Sequence, residues 1–363
     1  MSRTSFAVPE SMTRAVVRQC GDLVDPDCLE AETVPIPEPG YRQILVRVKA
    51  AGLNPIDFKI AAGNLWLYHP TKAPFYPGSD LSGVVVKCGN GVGLFQVGDE
   101  VMGSIGFFEK CDRLKVPDLG ALGEYVVLHE DRCALKPPHW SFDKAAALPL
   151  VGLTARMVVK AAALKENQTA VVVGASGGVG SVVVQLARRT GARIVCVCSG
   201  SNAAYVKWLG ASSVIDYTQG DWAANFAKGI EHVDAVLDLA PSGGRSTWDK
   251  AKKILPSWGK FVSVNTLDPS LQVATLFNTL VAHQAGNRFL HLVNVRPRYT
   301  FIDCLTSTPS NVREALDELR ALTESGELEL PTVEVFPFEN VHEGFEKLKS
   351  GRVQGKLVVR ISS

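Results

Sequence analysis

The sequence predicts an α/β fold in which a doubly wound parallel sheet is joined to a compact, antiparallel β-rich domain. Three observations predict it. Residues Thr169–Gly191 (TAVVVGASGGVGSVVVQLARRTG) read as a short buried strand, a glycine-rich turn and an amphipathic helix. Strand and helix patterns then alternate to about residue 296, the rhythm of βαβ units. Ahead of them, short alternating strands are broken by prolines and by a Gly-Asp turn.

The central stretch opens with the apolar run Ala170–Val173, and Gly174, Ala175, Ser176, Gly177 and Gly178 follow at once. Val179, Val182, Val183 and Leu186 then repeat along one helical face. A strand feeding a helix through glycines lets the backbone approach a pyrophosphate, and the helix N-terminus offers it N–H groups and partial positive charge. The pattern is AxGGVG, with Ala175 where the usual fingerprint has its first glycine, so taken alone it also suits an ordinary βα turn. The second apolar run, Arg193–Cys198, and the alternation beyond it make a Rossmann-type unit of it. Where that second strand ends, the chain reads Ser199-Gly200-Ser201-Asn202. An Asp or Glu near this point usually holds a free ribose 2′-OH, and none stands there. The hydroxyls and the amide, with Lys207 and Tyr217 further on, suit a 2′-phosphate instead, so the expected cofactor is NADP(H). Two plainer readings stay open: the serines cap the next helix, and Lys207 is a solvated helix residue.

A chain of 363 residues at net charge +1 suggests two domains and no electrostatic footprint for nucleic acid or a membrane surface. No run of about 18 apolar residues marks a membrane span. The N-terminal residues lack an apolar signal core and are sparse in Arg and Ser for a transit peptide. A cytoplasmic location is expected, with a mitochondrial one left open. The eight cysteines are scattered without CxxC spacing. Cys196 and Cys198 share one face of a strand and read as core thiols, which fits a reducing compartment.

Along the chain, residues 13–50 read as β-hairpin material, with Pro35, Pro37 and Pro39 keeping their segment extended. Asn54-Pro55 starts a turn, and Asp57-Phe58-Lys59 opens a short helix. The aromatic- and proline-rich residues 64–77 have the irregular character of a cleft-lining or packed surface loop. Strands are expected after Pro77-Gly78-Ser79-Asp80, on both sides of Val97-Gly98-Asp99, and from Gly123. Ser141 caps a helix start, and Leu150–Leu164 is a long helix leading into the nucleotide domain. Strands at about 213–215, 233–239, 259–264 and 289–295 alternate with helices at about 202–209, 246–254 and 271–283. After residue 297 come a helix over Asn311–Thr323, a strand at Val333–Phe336, a helix over Asn340–Leu348 and a last strand over Lys356–Ile361.

The motifs GLNPIDFK (52–59), PGSDLSG (77–83), VGDEV (97–101), GEYVV (123–127), AAALPLVGLTA (145–155), GASGGVG (174–180) and QGKLVV (354–359) stand in a telling order. Over residues 13–361 they resemble the medium-chain dehydrogenase/reductase superfamily, in its quinone oxidoreductase (zeta-crystallin-like) and enoyl reductase branch. The resemblance implies a GroES-like catalytic domain (1–140 with 298–363), an inserted Rossmann NADP-binding domain (141–297) and an active site in a cleft between them. The zinc-dependent members hold their catalytic metal with a Cys at the position of Asn54 and a His-Glu pair at Ser79-Asp80. Those departures, and only Cys88 and Cys111 where a structural zinc lobe needs four cysteines, predict no metal.

Hydride transfer from NADPH to a quinone or an α,β-unsaturated carbonyl is the reaction the resemblance implies. A carrier-dependent enoyl reductase of a polyketide-type pathway and a non-catalytic NADPH-binding protein are the rivals. By resemblance Asn54 sits beside the nicotinamide, and Lys59 supplies charge or a proton near the acceptor. A turn-forming Asn and a solvated Lys are the plain alternatives. Tyr68 and Tyr76 are candidate proton donors or pocket walls, and Asp80 is expected to order its loop. Cofactor contacts implied by motif are Asn54, Thr154, Gly174, Ala175, Ser176, Gly177, Gly178, Val179, Ser199, Asn202, Lys207, Tyr217, Asn265 and Lys356. The quinone oxidoreductase pattern often has a lysine where Asn202 stands. A small-molecule substrate and a two-fold homodimer along the Rossmann sheet edge complete the expectation.

Overall fold

The computed structural model describes residues 7–18, 21–25, 27–61, 74, 76–105, 120–227, 232–264, 298–301, 312–330 and 332–361. Its contacts divide the chain into two units, Met1–Leu153 with Thr308–Ser363, and Thr154–Ser307.

In the first unit, β1 (Ser11–Val17) and β2 (Leu29–Pro35) pair antiparallel as a two-stranded sheet of their own. The ladder stops at Pro35, which has no N–H to offer it. β3 (Gln43–Gly52) is the hub of a larger sheet, and α1 (Pro55–Ala61) leaves its end. β4 (Asp80–Cys88) pairs antiparallel with β3 and with β5 (Glu100–Ser104). β6 (Tyr125–His129) takes a further stretch of β3, and β7 (Cys133–Leu135) closes on β5. β7 is too short to give a periodic signal and was not foreseen. α2 (Phe142–Ala146) begins at Ser141, whose hydroxyl accepts from Lys144 N as a cap should. α3 (Pro149–Ala162) follows, and the division between the two units falls inside it, later than the expected boundary at residues 140 and 141.

Among the described residues, the second unit is built on six parallel strands. In chain order these are β8 (Thr169–Val173), β9 (Arg193–Cys198), β10 (Ser213–Asp216), β11 (Ala235–Asp238), β12 (Lys260–Ser263) and β13 (Arg298–Phe301). Between them run α4 (Gly178–Arg188), α5 (Ala203–Trp208), α6 (Trp222–Ala227) and α7 (Arg245–Ala251). The spatial order β10-β9-β8-β11-β12-β13 is the doubly wound order, with its reversal between β8 and β11. β8 is buried at all five residues, as a central strand covered on both faces must be. The sheet runs one strand past residue 297, where the sequence pattern ended it. Arg-Tyr-Thr-Phe carries no apolar run to announce a strand, and parallel pairing with β12 makes it one. The strand expected at 289–295 and the helix at 271–283 lie outside the described residues.

The chain then returns to the first unit. α8 (Val312–Glu324) buries Val312, Ala315, Leu316, Leu319 and Leu322 along one face. β14 (Val333–Pro337), α9 (Val341–Lys349) and β15 (Lys356–Arg360) follow. β15 pairs antiparallel with the end of β3 and parallel with β14, completing a sheet of seven strands among the described residues. The core of this unit gathers Ile44, Val46, Val85, Val126, Phe345 and Leu357 from both ends of the sequence.

The turn after β8 depends on two glycines. Gly174 has φ +79°, which disfavours any β-carbon. A β-carbon on Gly180 would lie 2.2 Å from Gly174 O, because the helix starts directly over the turn. Gly180→Ala is therefore expected to lower unfolding free energy by roughly 1–3 kcal/mol, the usual cost of overpacking. Urea denaturation of the purified chain checks this, and an unchanged midpoint would mean that the turn yields freely.

Candidate functional site

In the second unit, the carboxyl ends of β8, β11 and β12 lie level, with Val173 opposite Asp238 and Asp238 opposite Ser263. Gly174 packs against the loop after β11, where its missing β-carbon would stand 2.7 Å from Ala240 N. The glycine turn thus sits at the reversal of strand order, where open α/β sheets bind their ligands. Gly177 is the N-cap of α4 and provides no side-chain cap. A β-carbon on it would find only Gly174 O, at 3.6 Å, so the space over it is open. Gly178 begins the helix, Val179 is partly exposed in its first turn, Ala175 is buried and Ser176 is partly exposed. Open backbone at a helix N-terminus is what a pyrophosphate requires, and these residues fit a dinucleotide.

One strand further out, Asn202 Nδ2 donates to Ser176 Oγ at 3.0 Å, tying the turn after β9 to the glycine turn. Ser199 Oγ and Ser201 Oγ lie 2.9 Å apart in a shared hydrogen bond. Neither serine is a side-chain cap: Ser199 makes no cap bond, and the N-cap of α5 is Asn202, also without one. The capping alternative for these hydroxyls gives way to a paired, partly exposed hydroxyl site. Lys207 and Tyr217 are exposed, and Thr154 is buried in α3.

An acid missed in the sequence stands at the same place. Asp216 ends β10 opposite Cys198, and its Oδ2 lies against Gly200. It does not follow β9 in sequence; the neighbouring strand delivers it. Hydrogen bonds from the Thr218 hydroxyl and N–H hold its carboxyl below the usual range. Asp238 was also missed. It is buried at the end of β11, where Oδ2 accepts from Gly244 N at 2.6 Å and Ser263 Oγ at 2.8 Å. It fixes the loop beside the glycine turn, and burial raises its pKa.

The first unit holds a buried polar cluster. Asn54 precedes α1, and Asp57 Oδ2 reaches back to accept its N–H at 2.8 Å, half of a capping box. This leaves the Asn54 side chain for other work, and it does not serve the turn. Nδ2 donates to Asp80 Oδ2 at 2.9 Å and is 3.1 Å from Ser79 Oγ and 3.2 Å from Gly52 O. Oδ1 accepts from Lys356 Nζ at 2.6 Å. Lys356 also donates to Leu53 O at 2.7 Å and pairs with Asp80 Oδ2 at 3.5 Å. The other Asp80 oxygen accepts from Leu150 N at 2.8 Å, in the first turn of α3.

These groups are all buried. Burial pushes the Asp57 carboxyl up to about 7. It also raises Asp80 and lowers Lys356, each opposed by the attraction of the other. Three oxygens face Nζ, which suits the donor-only ammonium form.

The structure therefore brings Asn54, Asp80 and Lys356 together. Within the unit the Lys356 ammonium donates to Leu53 O and Asn54 Oδ1 and faces Asp80. The motif marks the residue, and the structure supplies its buried partners. Asp80 orders its surroundings as expected. Lys59 is on the exposed side of α1. Tyr76 carries Arg14 over its ring at 3.5 Å. Tyr68 and Asn265 lie outside the described residues. Cys196 and Cys198 are buried free thiols, with Cys198 pushed up to about 11 by burial.

A doubly wound dinucleotide sheet and a β-rich unit completed by the chain's own tail define an oxidoreductase class. Residues 40–138 match the alcohol dehydrogenase GroES-like domain, and residues 209–359 match a family described as zinc-binding dehydrogenase. The chain is 32% identical to the mitochondrial NAD(P)H oxidoreductase RTN4IP1 of Mus musculus, over 88% of this chain and 82% of the relative. It is also 32% identical to 2-methylene-furan-3-one reductase of Solanum lycopersicum, over 98% and 81% respectively. Escherichia coli quinone oxidoreductase complexed with NADPH superposes with a TM-score of 0.76 at 26% identity, covering 96% of this chain and 99% of that one. The chain belongs to the medium-chain dehydrogenase/reductase family, in its quinone oxidoreductase type.

Two outcomes are expected of the cluster. Lys356→Met leaves Asp80 without its cation and should cost about 3–5 kcal/mol of stability, the range for breaking a buried pair. A loss below about 1 kcal/mol, the range of an exposed pair, would contradict this. The raised Asp57 carboxyl holds its proton more tightly folded than unfolded. Between its ordinary value of 3.8 and about 7 the unfolded chain binds fewer protons, so the Asp57 contribution to stability falls as pH rises. Asp57→Asn removes that titration, so its melting temperature relative to wild type should rise from about pH 5 to about pH 8. A flat difference would place the Asp57 pKa near its ordinary value.

Proposed function

We propose that the chain is an NADPH-dependent reductase that delivers hydride to a conjugated small-molecule acceptor, a quinone or an enone, without zinc. The observation that carries this is the Asn54–Ser79–Asp80–Lys356 cluster. Zn²⁺ takes thiolate, imidazole and carboxylate donors. Here Asn54 turns an NH₂ toward Ser79 and Asp80, and both Asp80 oxygens are already engaged. Such a set does not fit a catalytic metal, and no step is routed through one. The family description with zinc in its name matches residues 209–359, which do not include Asn54, Ser79 or Asp80.

NADPH, when bound, supplies the hydride. The chain's part is to bind, orient and polarise. Gly174–Gly178 would hold the pyrophosphate, and Ser199 and Ser201, with Lys207 and Tyr217, the 2′-phosphate end. Lys356 and Asp80 hold the Asn54 amide in one orientation, so that what it presents to a nicotinamide or acceptor is the remaining lone pair of Oδ1. An already activated acceptor needs no Lewis acid. It needs a cation or proton near the oxygen that gains charge, and exposed Lys59 on α1 is the candidate. Two relatives support the acceptor class by name, a quinone oxidoreductase and a furanone reductase.

The test is steady-state oxidation of NADPH and of NADH by the purified chain with an ortho-quinone, a para-quinone, a simple enone and an enoyl thioester. NADPH preference with quinone or enone turnover is expected. Turnover with the thioester alone would point to a carrier-dependent enoyl reductase, and tight NADPH binding without turnover to a non-catalytic role. Lys59→Ala should lower kcat by about 10²-fold, the lower range for an acid–base group. Unchanged turnover with every active acceptor would remove Lys59 from the mechanism. The expected homodimer would form along an open edge of the parallel sheet, whose outer described strands are β10 and β13. Light scattering reads its mass.

A further inference from the structure

The turn that opens α4 offers a ligand one hydroxyl as well as backbone. Gly177 N donates to Gly174 O at 3.2 Å, which places Ala175 and Ser176 at the corner of a four-residue turn. The two glycines carry no side chain, Ala175 is buried, and Ser176 is partly exposed.

That hydroxyl is held from the neighbouring strand's side. Asn202, beyond the end of β9, donates from Nδ2 to Ser176 Oγ at 3.0 Å. An amide NH₂ only donates, so this bond takes a lone pair of Oγ and leaves the hydroxyl hydrogen for a further acceptor. Among the described residues, Ser176 Oγ makes no other hydrogen bond. The next residue, Gly177, is the N-cap of α4, and the space over it is open. A hydroxyl hydrogen left over beside the open head of a helix suits an anionic oxygen.

We propose that the Ser176 hydroxyl donates to a pyrophosphate oxygen of the dinucleotide, and that Asn202 is the positioning residue that turns its hydrogen to the ligand. This rests on the dinucleotide reading above. A lysine in place of Asn202 would bring charge to a phosphate. An amide brings none, and Asn202 acts through Ser176 instead. The turn after β9 thus serves the pyrophosphate through Asn202 as well as the 2′-phosphate end through its serines.

The test is a double-mutant cycle on the full chain, with Kd values from titration calorimetry. The probes are NADPH, which carries the pyrophosphate, and 2′-AMP, which has the same adenosine 2′-phosphate without it. Ser176→Ala should weaken NADPH roughly tenfold, the order of losing a hydrogen bond to a charged group. Asn202→Ala should weaken it about threefold, because the hydroxyl then spreads over its three staggered positions. The double variant should bind NADPH within about twofold of Ser176→Ala alone, the mark of one residue acting through the other. Binding of 2′-AMP should stay unchanged throughout. The variants are expected to keep the wild-type melting temperature without ligand, since neither side chain caps its helix. Unchanged NADPH affinity in Ser176→Ala would overturn the proposal. So would a full further loss from Asn202→Ala in the Ser176→Ala background, which would make Asn202 a ligand in its own right. Weaker 2′-AMP binding by Asn202→Ala would assign it to the 2′-phosphate end and overturn the proposal as well. A wild-type chain that binds no NADPH would sink the dinucleotide reading itself, a failure seen before any variant is made.

Discussion

A single ammonium group, that of Lys356, is the point on which the first unit depends. It comes from β15, near the end of the chain, and it is received by oxygens of Leu53, Asn54 and Asp80. The backbone pairing of β15 with β3 brings the strand to that place, and the ammonium locks it there. Buried ion pairs contribute little net stability against an apolar alternative, since desolvation offsets the attraction. What this one contributes is geometry. Asp80 takes hydrogen bonds from the Asn54 amide and from the start of α3. Three segments distant in sequence are thereby fixed around one side chain, Asn54, whose backbone N–H is already satisfied by Asp57.

The second unit solves a similar problem with carboxylates at strand ends. Parallel strands all finish on the same side, so their last residues meet. Asp238 at the end of β11 ties Gly244 and Ser263, and Asp216 at the end of β10 ties Thr218. In each case an acid consumes backbone N–H groups of a loop that a regular sheet cannot satisfy. The glycines supply the complementary freedom: Gly174 a positive φ, Gly177 an open face. Rigid loops around an open helix N-terminus are what a site needs if it is to bind phosphates without first paying for order.

Much of this was legible in the sequence because periodicity and turn chemistry act locally. The run Ala170–Val173, the glycine turn and the valines of α4 specify one supersecondary unit within about 20 residues, and βαβ handedness and order do the rest. Ser141 as a cap and Gly98-Asp99 as a turn are local in the same sense. What escaped depends on contacts between strands. Asp216 lies in the tetrapeptide Ser-Val-Ile-Asp, which looks like any strand end until its register with β9 is known. Lys356 was visible as a residue of interest, yet motif order carries no information on whether its stem points to a ligand or into a core. β7 and β13 were missed or misplaced because three or four residues cannot display a period.

Asp216 bears on how cofactor preference should be read from sequence. A carboxylate near the second strand is taken as a sign of NAD because it can accept from two ribose hydroxyls. That inference concerns lone pairs as well as charge. Asp216 has the charge and lies beside the turn after β9, and the Thr218 N–H and hydroxyl occupy its Oδ1. The informative sequence feature is then the acid together with the donors that follow it: Asp-Tyr-Thr supplies a hydroxyl and a backbone N–H within two residues. An acid at the same position followed by residues without such donors would keep its acceptors for the ribose.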